Sequence, residues 1–301
     1  MNLSLFPPII TPVQFQKLTL IGVGLLGGSI GLAAKQRGVA HRVCGLVRRE
    51  ESIAECLAAG AVDEATLDIT EAVTDANLVI LCTPVGRMGE LVAAMKPHLS
   101  AGAIVTDVGS VKASVMAAVE PVLARFVGSH PLCGSEKAGV AHARGDLFDG
   151  AVCAVTPTEA SDAPTVDTIS KFWTALGSRV VNLTAADHDA IVARTSHLPH
   201  VLASALVNAV VASPRVGESD FLGSGFRDTT RLASGDAGMW RDIAMGNAAA
   251  IAAALEDLQA EIGRLKTALS EKDVVALEKF FTEGRQLILF PNSGLRLAAV
   301  S

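Results

Sequence analysis

The feature that most constrains this chain is a glycine-rich turn that joins a predicted strand to a predicted helix. Residues 17–23 read KLTLIGV, an apolar run rich in β-branched side chains, which is typical of a buried strand. The chain reads GVGLLG over residues 22–27 and continues into a predicted helix over residues 29–36. A strand that enters a helix through the pattern GxGxxG predicts the phosphate-binding turn of a doubly wound α/β sheet.

Each glycine of this turn has its own physical reason. The first allows a tight turn, the second lets a pyrophosphate approach the backbone, and the third lets the helix pack closely on the strand. The first amides of the helix then point toward the phosphates. A glycine-rich turn without a ligand is the alternative, but a second predicted strand at the spacing of a βαβ crossover favours a dinucleotide site. The residues predicted to bind the cofactor around this turn are Gly22, Gly24, Leu25, Leu26, Gly27 and, after a later strand, Thr83.

The end of the second predicted strand, residues 42–47, bears on the choice of cofactor. NAD enzymes usually place Asp or Glu there to hold the ribose 2′-hydroxyl, whereas NADP enzymes place a cation near the 2′-phosphate. This chain has Val47 at the expected acidic position, followed by Arg48 and Arg49, and the first carboxylate is Glu50. Arginine can bind a phosphate through two hydrogen bonds. We therefore favour NADP over NAD, and the alternative is that both arginines only solvate a loop.

Strand-like and helix-like segments continue to alternate through the first half of the chain. Apolar runs predict further strands over residues 77–82, 103–107, 152–156 and 179–183, with a helix over residues 165–176. Such alternation predicts a largely parallel sheet with helices on both faces. After Leu183 the strand-like runs stop. Long segments rich in Ala, Leu and Val then predict helices over residues 186–212, 239–269 and 272–289.

The change of pattern predicts a domain boundary, since 301 residues exceed what one hydrophobic core usually supports. We predict a nucleotide-binding domain over residues 1–185 and an all-helical domain over residues 186–301. The helical segments are apolar on more than one side, which predicts burial in the interface of a homodimer. Residues 213–230 contain Pro214 and several glycines and are predicted as a long irregular connection.

Charge, hydropathy and cysteine content narrow the classes of function. The net charge is −6 without a block of Lys and Arg, so we expect no nucleic-acid partner. Half of the residues are hydrophobic, but no apolar run approaches the ~20 residues of a membrane span, so we expect no membrane partner. The N-terminus has no basic segment ahead of an apolar one, so we expect a cytoplasmic protein. Five cysteines without a CxxC pair disfavour a disulfide framework or structural zinc.

A histidine in a glycine-bounded segment is the first candidate for chemistry. Residues 128–136 read GSHPLCGSE, with His130 fixed before a proline, and we predict a loop suited to catalysis. The alternative is a histidine that only satisfies backbone groups. A second segment, TDVGSVK over residues 106–112, contains Ser110 and follows a predicted strand. It therefore lies where a doubly wound sheet binds its ligands.

Two further histidines lie in the helical half. His197 and His200 are three residues apart in the segment HLPH, which places both imidazoles on one helix face. Such a pair could bind a metal, but no third Cys, Asp or Glu falls at a compact spacing, so we predict no metal site. Residues 223–231 read GSGFRDTTR and lead to MWRD at residues 239–242. Ion pairing with nearby aspartates is the alternative for the arginines of these segments.

Together these segments resemble the prephenate and arogenate dehydrogenase family. The segments GVGLLGGS, DVGSVK, SHPLCGSE, HLPH and GFRDTTRLASGDAGMWRDI occur in the order of that family, over roughly residues 17–289. The resemblance implies a Rossmann-type domain followed by a helical dimerisation domain. It also implies that His130 is the catalytic base, that Ser110 orients His130 and the substrate, and that Arg231 binds a substrate carboxylate. The other pocket residues that it implies are His197, His200 and Glu136.

The implied reaction is the oxidative decarboxylation of prephenate to 4-hydroxyphenylpyruvate on the route to tyrosine, with hydride transfer to NAD(P)+. Arogenate, which carries an amino-acid side chain, is the alternative substrate. A β-hydroxyacid dehydrogenase has a similar plan, but the lysine expected on its first interdomain helix is absent from residues 187–212. A non-catalytic NADP sensor is a further alternative, against which the set Ser110, His130 and Arg231 argues. The sequence shows no added mutase or regulatory segment, so we expect a single activity.

Overall fold

The computed structural model describes residues 15–134, 137–212 and 221–289. The chain divides after Ala248 into two compact units, Met1–Ala248 and Ala249–Ser301. Every strand of the described residues lies in the first unit, together with the helices that precede residue 247. The elements that carry the candidate site therefore belong to one compact unit.

Parallel strands form the central sheet of the first unit. They are β1 (Phe15–Ile21), β2 (Ala40–Leu46), β3 (Glu64–Thr66), β4 (Leu78–Leu81) and β5 (Ile104–Asp107). The helices that alternate with them are α1 (Leu25–Gln36), α2 (Glu50–Ala58), α3 (Ile69–Val73), α4 (Met88–Met95) and α5 (Ala113–Val119). The strand order is β3-β2-β1-β4-β5. The predicted doubly wound, largely parallel sheet is confirmed.

The apolar side chains of the central strands alternate between two buried clusters, one on each face of the sheet. On β4, Leu78 and Ile80 belong to the cluster that contains residues of α1, while Val79 and Leu81 belong to the cluster that contains residues of α4. A parallel sheet covered by helices on both faces buries consecutive residues. For this reason the strands read in the sequence as unbroken apolar runs.

The carboxyl ends of the strands are in register along one edge of the sheet. Ile21 of β1 pairs with Leu46 of β2 and with Leu81 of β4, and Leu81 pairs with Asp107 of β5. The segments that follow these residues therefore leave the sheet side by side, although they are far apart in sequence. The strand order reverses between β1 and β4, and ligands of doubly wound sheets bind at this position.

A second, smaller sheet adjoins the first. Its strands are β6 (Gly128–Pro131), β7 (Val152–Thr156) and β8 (Arg179–Asn182), with α6 (Ala163–Ala175) between the last two. The strands predicted over residues 152–156 and 179–183 are confirmed, but they pair in this separate sheet. A bridge between Val105 of β5 and Phe126 connects the two sheets.

The prediction that His130 lies in a loop is wrong. Residues 128–131 form β6, which pairs antiparallel with β7 from Gly128 opposite Thr156 to Pro131 opposite Cys153. A proline can occupy the end of a strand, where its missing N–H is not needed. His130 is therefore held by a strand, and its position is more rigid than that of a loop residue.

After β8, the described residues of the first unit are mainly helical, as predicted. Its elements are α7 (Ala185–Val192), a π-helical turn (Ala193–His197), α8 (Leu198–Val211), α9 (Ser224–Thr230), a 3₁₀ turn (Arg231–Ser234) and α10 (Ala237–Gly246). The irregular connection predicted over residues 213–230 is wrong for residues 224–230, which form α9, and residues 213–220 lie outside the described residues. Thr229 and Thr230 donate their hydroxyls to carbonyls four residues earlier, so these polar side chains are satisfied within the helix.

The described part of the second unit is made by α11 (Ala248–Glu271) and α12 (Val274–Leu289). These helices confirm the predicted helical character of the C-terminal part. Several of their large apolar side chains are exposed, namely Ile262, Leu269, Val274, Val275 and Phe281. Among the described helices of both units, none combines the length and apolar character that crossing a bilayer requires.

Candidate active site

The turn after β1 has the tight geometry that its glycines permit. Gly22 has a φ of +97°, and a Cβ there would lie 3.0 Å from the carbonyl oxygen of Cys82. A Cβ at Gly27 would lie 2.2 Å from the carbonyl oxygen of Gly22, so a larger residue would push α1 away from β1. At Gly24, an added Cβ would meet no atom of the described residues within 4 Å. The open space at Gly24 fits a turn against which a pyrophosphate packs.

Polar groups that need a partner lie at this turn. No side chain of the described residues caps α1 at Gly24, and the first amides of a helix need an acceptor from outside the helix. Leu25 and Leu26 belong to that first turn of α1 and are half-buried. Thr83 lies against Gly22, and its buried Oγ1 has no hydrogen-bond partner among the described residues. A dinucleotide would supply acceptors for the amides and a partner for the hydroxyl.

The end of β2 presents the predicted arginines at the same edge of the sheet. Leu46 ends β2 and accepts a hydrogen bond from the amide of Gly22 at 3.0 Å. Val47 is buried, whereas Arg48 and Arg49 are exposed. Two guanidinium groups therefore follow the strand next to the glycine turn, at the position where a ribose of the cofactor is bound in this fold.

An oppositely charged pair, Asp107 and Lys112, is buried under the loop that follows β5. Lys112 Nζ donates to the Asp107 carboxylate and to the Ser129 carbonyl, the latter at 2.8 Å. Asp107 also accepts from the amide of Ser129 at 3.0 Å and from an amide of its own loop. Burial lowers the pKa of Lys112, and the Asp107 carboxylate opposes that shift. The pair fastens the loop that carries Ser110 to β6, which carries His130.

His130 is the first member of a chain of three buried side chains. Its Nδ1 lies 2.8 Å from Nε2 of His188, and Nδ1 of His188 lies 2.8 Å from Oδ1 of Asp189. Asp189 also accepts hydrogen bonds from the main-chain amides of Lys112 at 2.7 Å and Ala113 at 2.9 Å. The chain of contacts therefore joins β6, α7 and the start of α5.

The surroundings of His130 favour its neutral form. Burial is the largest cause, and the positive charge of Lys112 adds to it, so that the pKa of His130 lies well below its usual range. Burial alone would raise the pKa of Asp189, but the hydrogen bonds from His188 and from the amides of Lys112 and Ala113 outweigh it and lower that pKa. At neutral pH the site therefore holds a neutral imidazole at His130 and a carboxylate at Asp189.

The predicted pair His197 and His200 shares one neighbour, Trp240 of α10. The His200 ring stacks on the indole with centroids 3.4 Å apart, and the His197 ring meets it edge-on at 6.1 Å. This arrangement agrees with the expected common face. Burial is the largest influence on both rings and lowers the pKa of each.

The hydrogen bonds of Asn247 determine which nitrogen of His197 carries the proton. Nδ2 of Asn247 donates to the carbonyl of Asp189 at 2.8 Å and lies 3.3 Å from Nδ1 of His197. Because an amide nitrogen only donates, Nδ1 of His197 accepts and Nε2 carries the hydrogen. This buried Nε2 has no partner within hydrogen-bond geometry among the described residues, although the main chain of Ser110 lies close enough to the ring to oppose the lowering of its pKa. Asn247 also interrupts the helix predicted over residues 239–269.

The remaining predicted site residues are Ser110, Arg231 and Glu136. Ser110 is half-buried, and its main chain lies beside the ring of His197. Among the described residues, Nδ1 of His130 is hydrogen-bonded with Nε2 of His188, and no hydrogen bond joins it to the Ser110 hydroxyl. Arg231 is exposed and begins the turn that packs on α8. Glu136 lies outside the described residues.

Several residues of the site were not predicted from the sequence. They are Asp107, Lys112, His188, Asp189, Trp240 and Asn247. The sequence contained a usable signal for Asp107 and Lys112. They carry opposite charges on either side of a loop that follows a buried strand, and a buried charge requires a partner of opposite sign. The pair His188-Asp189 stands near the start of a predicted helix, where no spacing rule connects it to His130. For Arg241 the alternative interpretation, an ion pair with a nearby aspartate, agrees with the structure, because its guanidinium lies 2.7 Å from the Asp242 carboxylate.

These features define a class of protein. A doubly wound sheet with an open glycine turn where its strand order reverses binds a dinucleotide, and the adjoining sheet carries a buried, neutral histidine. Within the described residues no three metal-ligating side chains come together. The combination is that of a nicotinamide-nucleotide-dependent dehydrogenase.

Comparison with known proteins identifies the family. The model of the prephenate dehydrogenase nucleotide-binding domain matches residues 30–182, and that of the prephenate dehydrogenase dimerization domain matches residues 184–283. The chain is 34% identical to the cyclohexadienyl dehydrogenase of Zymomonas mobilis, over 90% of this chain and 94% of that protein. It is 32% identical to the prephenate dehydrogenase of Bacillus subtilis, over 88% of this chain and 73% of that protein.

A solved structure agrees with these matches. The prephenate dehydrogenase of Aquifex aeolicus, crystallised with hydroxyphenyl propionate and NAD+, superposes with a TM-score of 0.87. That structure is 31% identical in sequence, and the match covers 92% of this chain and 98% of the other. The chain belongs to the prephenate dehydrogenase family.

Proposed function

We propose that this protein converts prephenate to 4-hydroxyphenylpyruvate and CO2, with His130 as the general base. The observation that carries this proposal is the buried imidazole of His130, which is bound at Nδ1 by His188 and kept neutral by its surroundings. A neutral imidazole with one nitrogen bound can accept a proton at the other. Membership of the family supports the choice of substrate.

In the proposed reaction, Nε2 of His130 accepts the proton of the hydroxyl at C4 of the substrate ring. The electrons of that O–H bond form a carbonyl as hydride departs from C4. A dinucleotide held through its pyrophosphate at the turn of Gly22, Gly24 and Gly27 would supply the oxidised nicotinamide as the hydride acceptor. The C1 carboxylate then leaves as CO2, its bonding electrons complete the aromatic ring, and the C4 oxygen regains the proton. A positioned base contributes about 10²–10⁴-fold to such a rate.

The substrate carries two carboxylates, and cationic or donating groups are needed to hold them in an acidic protein. We propose that Arg231 binds one of them and that His197 donates through Nε2, with His200, Ser110 and Glu136 completing the pocket. The unpartnered Nε2 of His197 supports this role. The exposure of Arg231 at a turn packed on α8 supports a guanidinium at the entrance of the pocket.

Replacement of Arg231 tests its proposed role. Arg231→Ala should raise KM for prephenate by about 10- to 100-fold, since a hydrogen bond to a charged group is worth about 1.5–3 kcal/mol. The kcat should change less, because the interaction is made equally in the ground state. Arg227→Ala removes another exposed arginine one helical turn earlier and serves as the control. Equal KM values for the two variants would contradict the role of Arg231.

We also propose that NADP is preferred to NAD, because Val47 cannot bind a ribose hydroxyl and the exposed Arg48 and Arg49 can bind a phosphate. The kcat/KM should then be higher with NADP. Arg48→Asp should lower kcat/KM with NADP and raise kcat/KM with NAD, because a carboxylate repels the 2′-phosphate and accepts from a 2′-hydroxyl. The ratio of kcat/KM with NADP to kcat/KM with NAD is measured for each protein, so a general loss of activity cancels. Equal or higher kcat/KM with NAD in the unmodified protein would contradict the preference.

The test of the function is an assay of the purified protein with prephenate and with arogenate, each with both cofactors. With prephenate as substrate, the absorbance of the reduced nicotinamide and the amount of CO2 released should increase in parallel. The name of the Zymomonas relative, cyclohexadienyl dehydrogenase, keeps arogenate as the second candidate substrate. Higher kcat/KM with arogenate would reassign the substrate, and failure of both would refute the function.

We propose that the chain forms a homodimer through its C-terminal helices and lies in the cytoplasm. The match to a dimerization domain and the exposed apolar side chains of α11 and α12 support the dimer, because apolar patches of this kind mark interfaces. Light scattering at micromolar concentration should give the mass of a dimer. A fully active monomer would contradict this assembly.

A further inference from the structure

We propose that His188 and Asp189 are positioning residues that fix His130 in the tautomer whose Nε2 accepts the substrate proton. The inference rests on the proposed function of His130 as base. The geometry behind it is the hydrogen-bonded chain from His130 through His188 to Asp189. Each link of this chain restricts where the next hydrogen can lie.

The first link is the carboxylate of Asp189. It accepts from the amides of Lys112 and Ala113 and faces Nδ1 of His188. An ionised carboxylate has only acceptors to offer, and the hydrogen bonds that it receives lower the pKa of Asp189 in spite of burial. Nδ1 of His188 therefore carries a hydrogen and donates it to Asp189.

The second link is the pair of imidazoles. With its hydrogen on Nδ1, a neutral His188 has an acceptor at Nε2, and this atom lies 2.8 Å from Nδ1 of His130. Nδ1 of His130 therefore donates, and its Nε2 is left with a lone pair. A doubly protonated His188 would reverse this bond and place the hydrogen of His130 on Nε2, where no proton could be accepted. The base function thus requires a neutral His188.

Several helices and strands hold the three hydrogen-bonded side chains in place. The Asp189 carboxylate accepts hydrogen bonds from two main-chain amides at the start of α5. The main-chain carbonyl of Asp189 accepts from Nδ2 of Asn247 at 2.8 Å. His188 is almost fully buried, with a relative exposure of 1%, and its ring meets that of His130 at an angle of 67°. Neither imidazole can turn without breaking a buried hydrogen bond. Once His130 has accepted a proton, its Nδ1–H still donates to His188, and the Asp189 carboxylate stabilises the new charge.

The decisive measurement is ¹⁵N NMR of the histidine rings in the unmodified protein with its cofactor bound. The signals of His130 are identified by their loss in His130→Asn. We expect a protonated Nδ1 and an unprotonated Nε2 at neutral pH. The opposite tautomer would overturn the proposal. Because this readout does not depend on turnover, it distinguishes failure of the positioning role from failure of the proposed function.

Variants of His188 extend the test to catalysis. His188→Phe keeps an aromatic ring but removes both hydrogen bonds, so kcat should fall about 10- to 100-fold, by analogy with the loss of the partner that orients a metal-binding histidine. KM should stay within about threefold, and the ¹⁵N spectrum should show a mixture of His130 tautomers. His188→Gln retains an amide oxygen that can accept from His130 and should recover part of the rate. Wild-type kcat in a folded His188→Phe protein would also overturn the proposal.

Discussion

His130→Asn lowers kcat for prephenate by about 10²–10⁴-fold if His130 is the general base, because it removes proton acceptance at the reacting hydroxyl. Asparagine is smaller than histidine and polar, so the variant should still fold. Substrate affinity should change little, since the lost interaction belongs mainly to the transition state. Steady-state kinetics with saturating cofactor provide the measurement.

A matched replacement separates this effect from the loss of a histidine as such. His142 is exposed on a 3₁₀ turn of the same unit, so His142→Asn should leave kcat and KM unchanged. Wild-type kcat in His130→Asn would show that His130 is not the base. His197 or His200 would then become the candidates.

The second large effect concerns stability. Lys112→Met should lower the free energy of unfolding by about 3–5 kcal/mol, because it leaves the Asp107 carboxylate buried without its counter-charge. It also removes the donor to the carbonyl of Ser129. Urea denaturation followed by circular dichroism measures the loss, which should appear as a lower midpoint. The Ser110 loop and β6 should loosen together, so activity should also fall.

A partly exposed pair supplies the control for Lys112. Lys35 and Asp63 form an ion pair at 2.6 Å, with side-chain exposures of 32% and 38%. Lys35→Met should therefore lower the free energy of unfolding by less than about 1 kcal/mol, as is typical of solvated ion pairs. A similar decrease in the free energy of unfolding in both variants would show that an unpaired Asp107 carboxylate is no more destabilising when buried than a solvated one.

The parts of the fold that could be predicted from sequence are those with local signals. The strand, the glycine turn and α1 lie within one short stretch, so apolar periodicity and the spacing of Gly22, Gly24 and Gly27 were sufficient. The parallel strands that followed were recognisable because burial on both faces produces unbroken apolar runs. His197 and His200 were correctly paired because their spacing is a property of a single helix.

The parts that could not be predicted depend on contacts between distant segments. Strand β6 is a four-residue element that exists through its pairing with β7, and its Gly and Pro residues favour a loop when read alone. The contact between His130 and His188 joins residues 58 positions apart. No local pattern encodes such a contact. α9 was missed because its glycine and threonines are typical of a turn when they are read alone. In the structure the threonine hydroxyls donate to carbonyls within the helix.

The most direct test of His130 as the general base is the pH dependence of kcat/KM for prephenate in the unmodified protein and in His130→Asn. His130 must be neutral to accept a proton, so activity is lost as the pH falls through its pKa. Burial and the nearby Lys112 cation lower that pKa, so the acidic limb should lie below the ordinary histidine value of about 6.5. The limb should be absent from the residual activity of His130→Asn. An acidic limb at or above about 6.5 in the unmodified protein, or the same limb in both proteins, would contradict the assignment of His130 as the base.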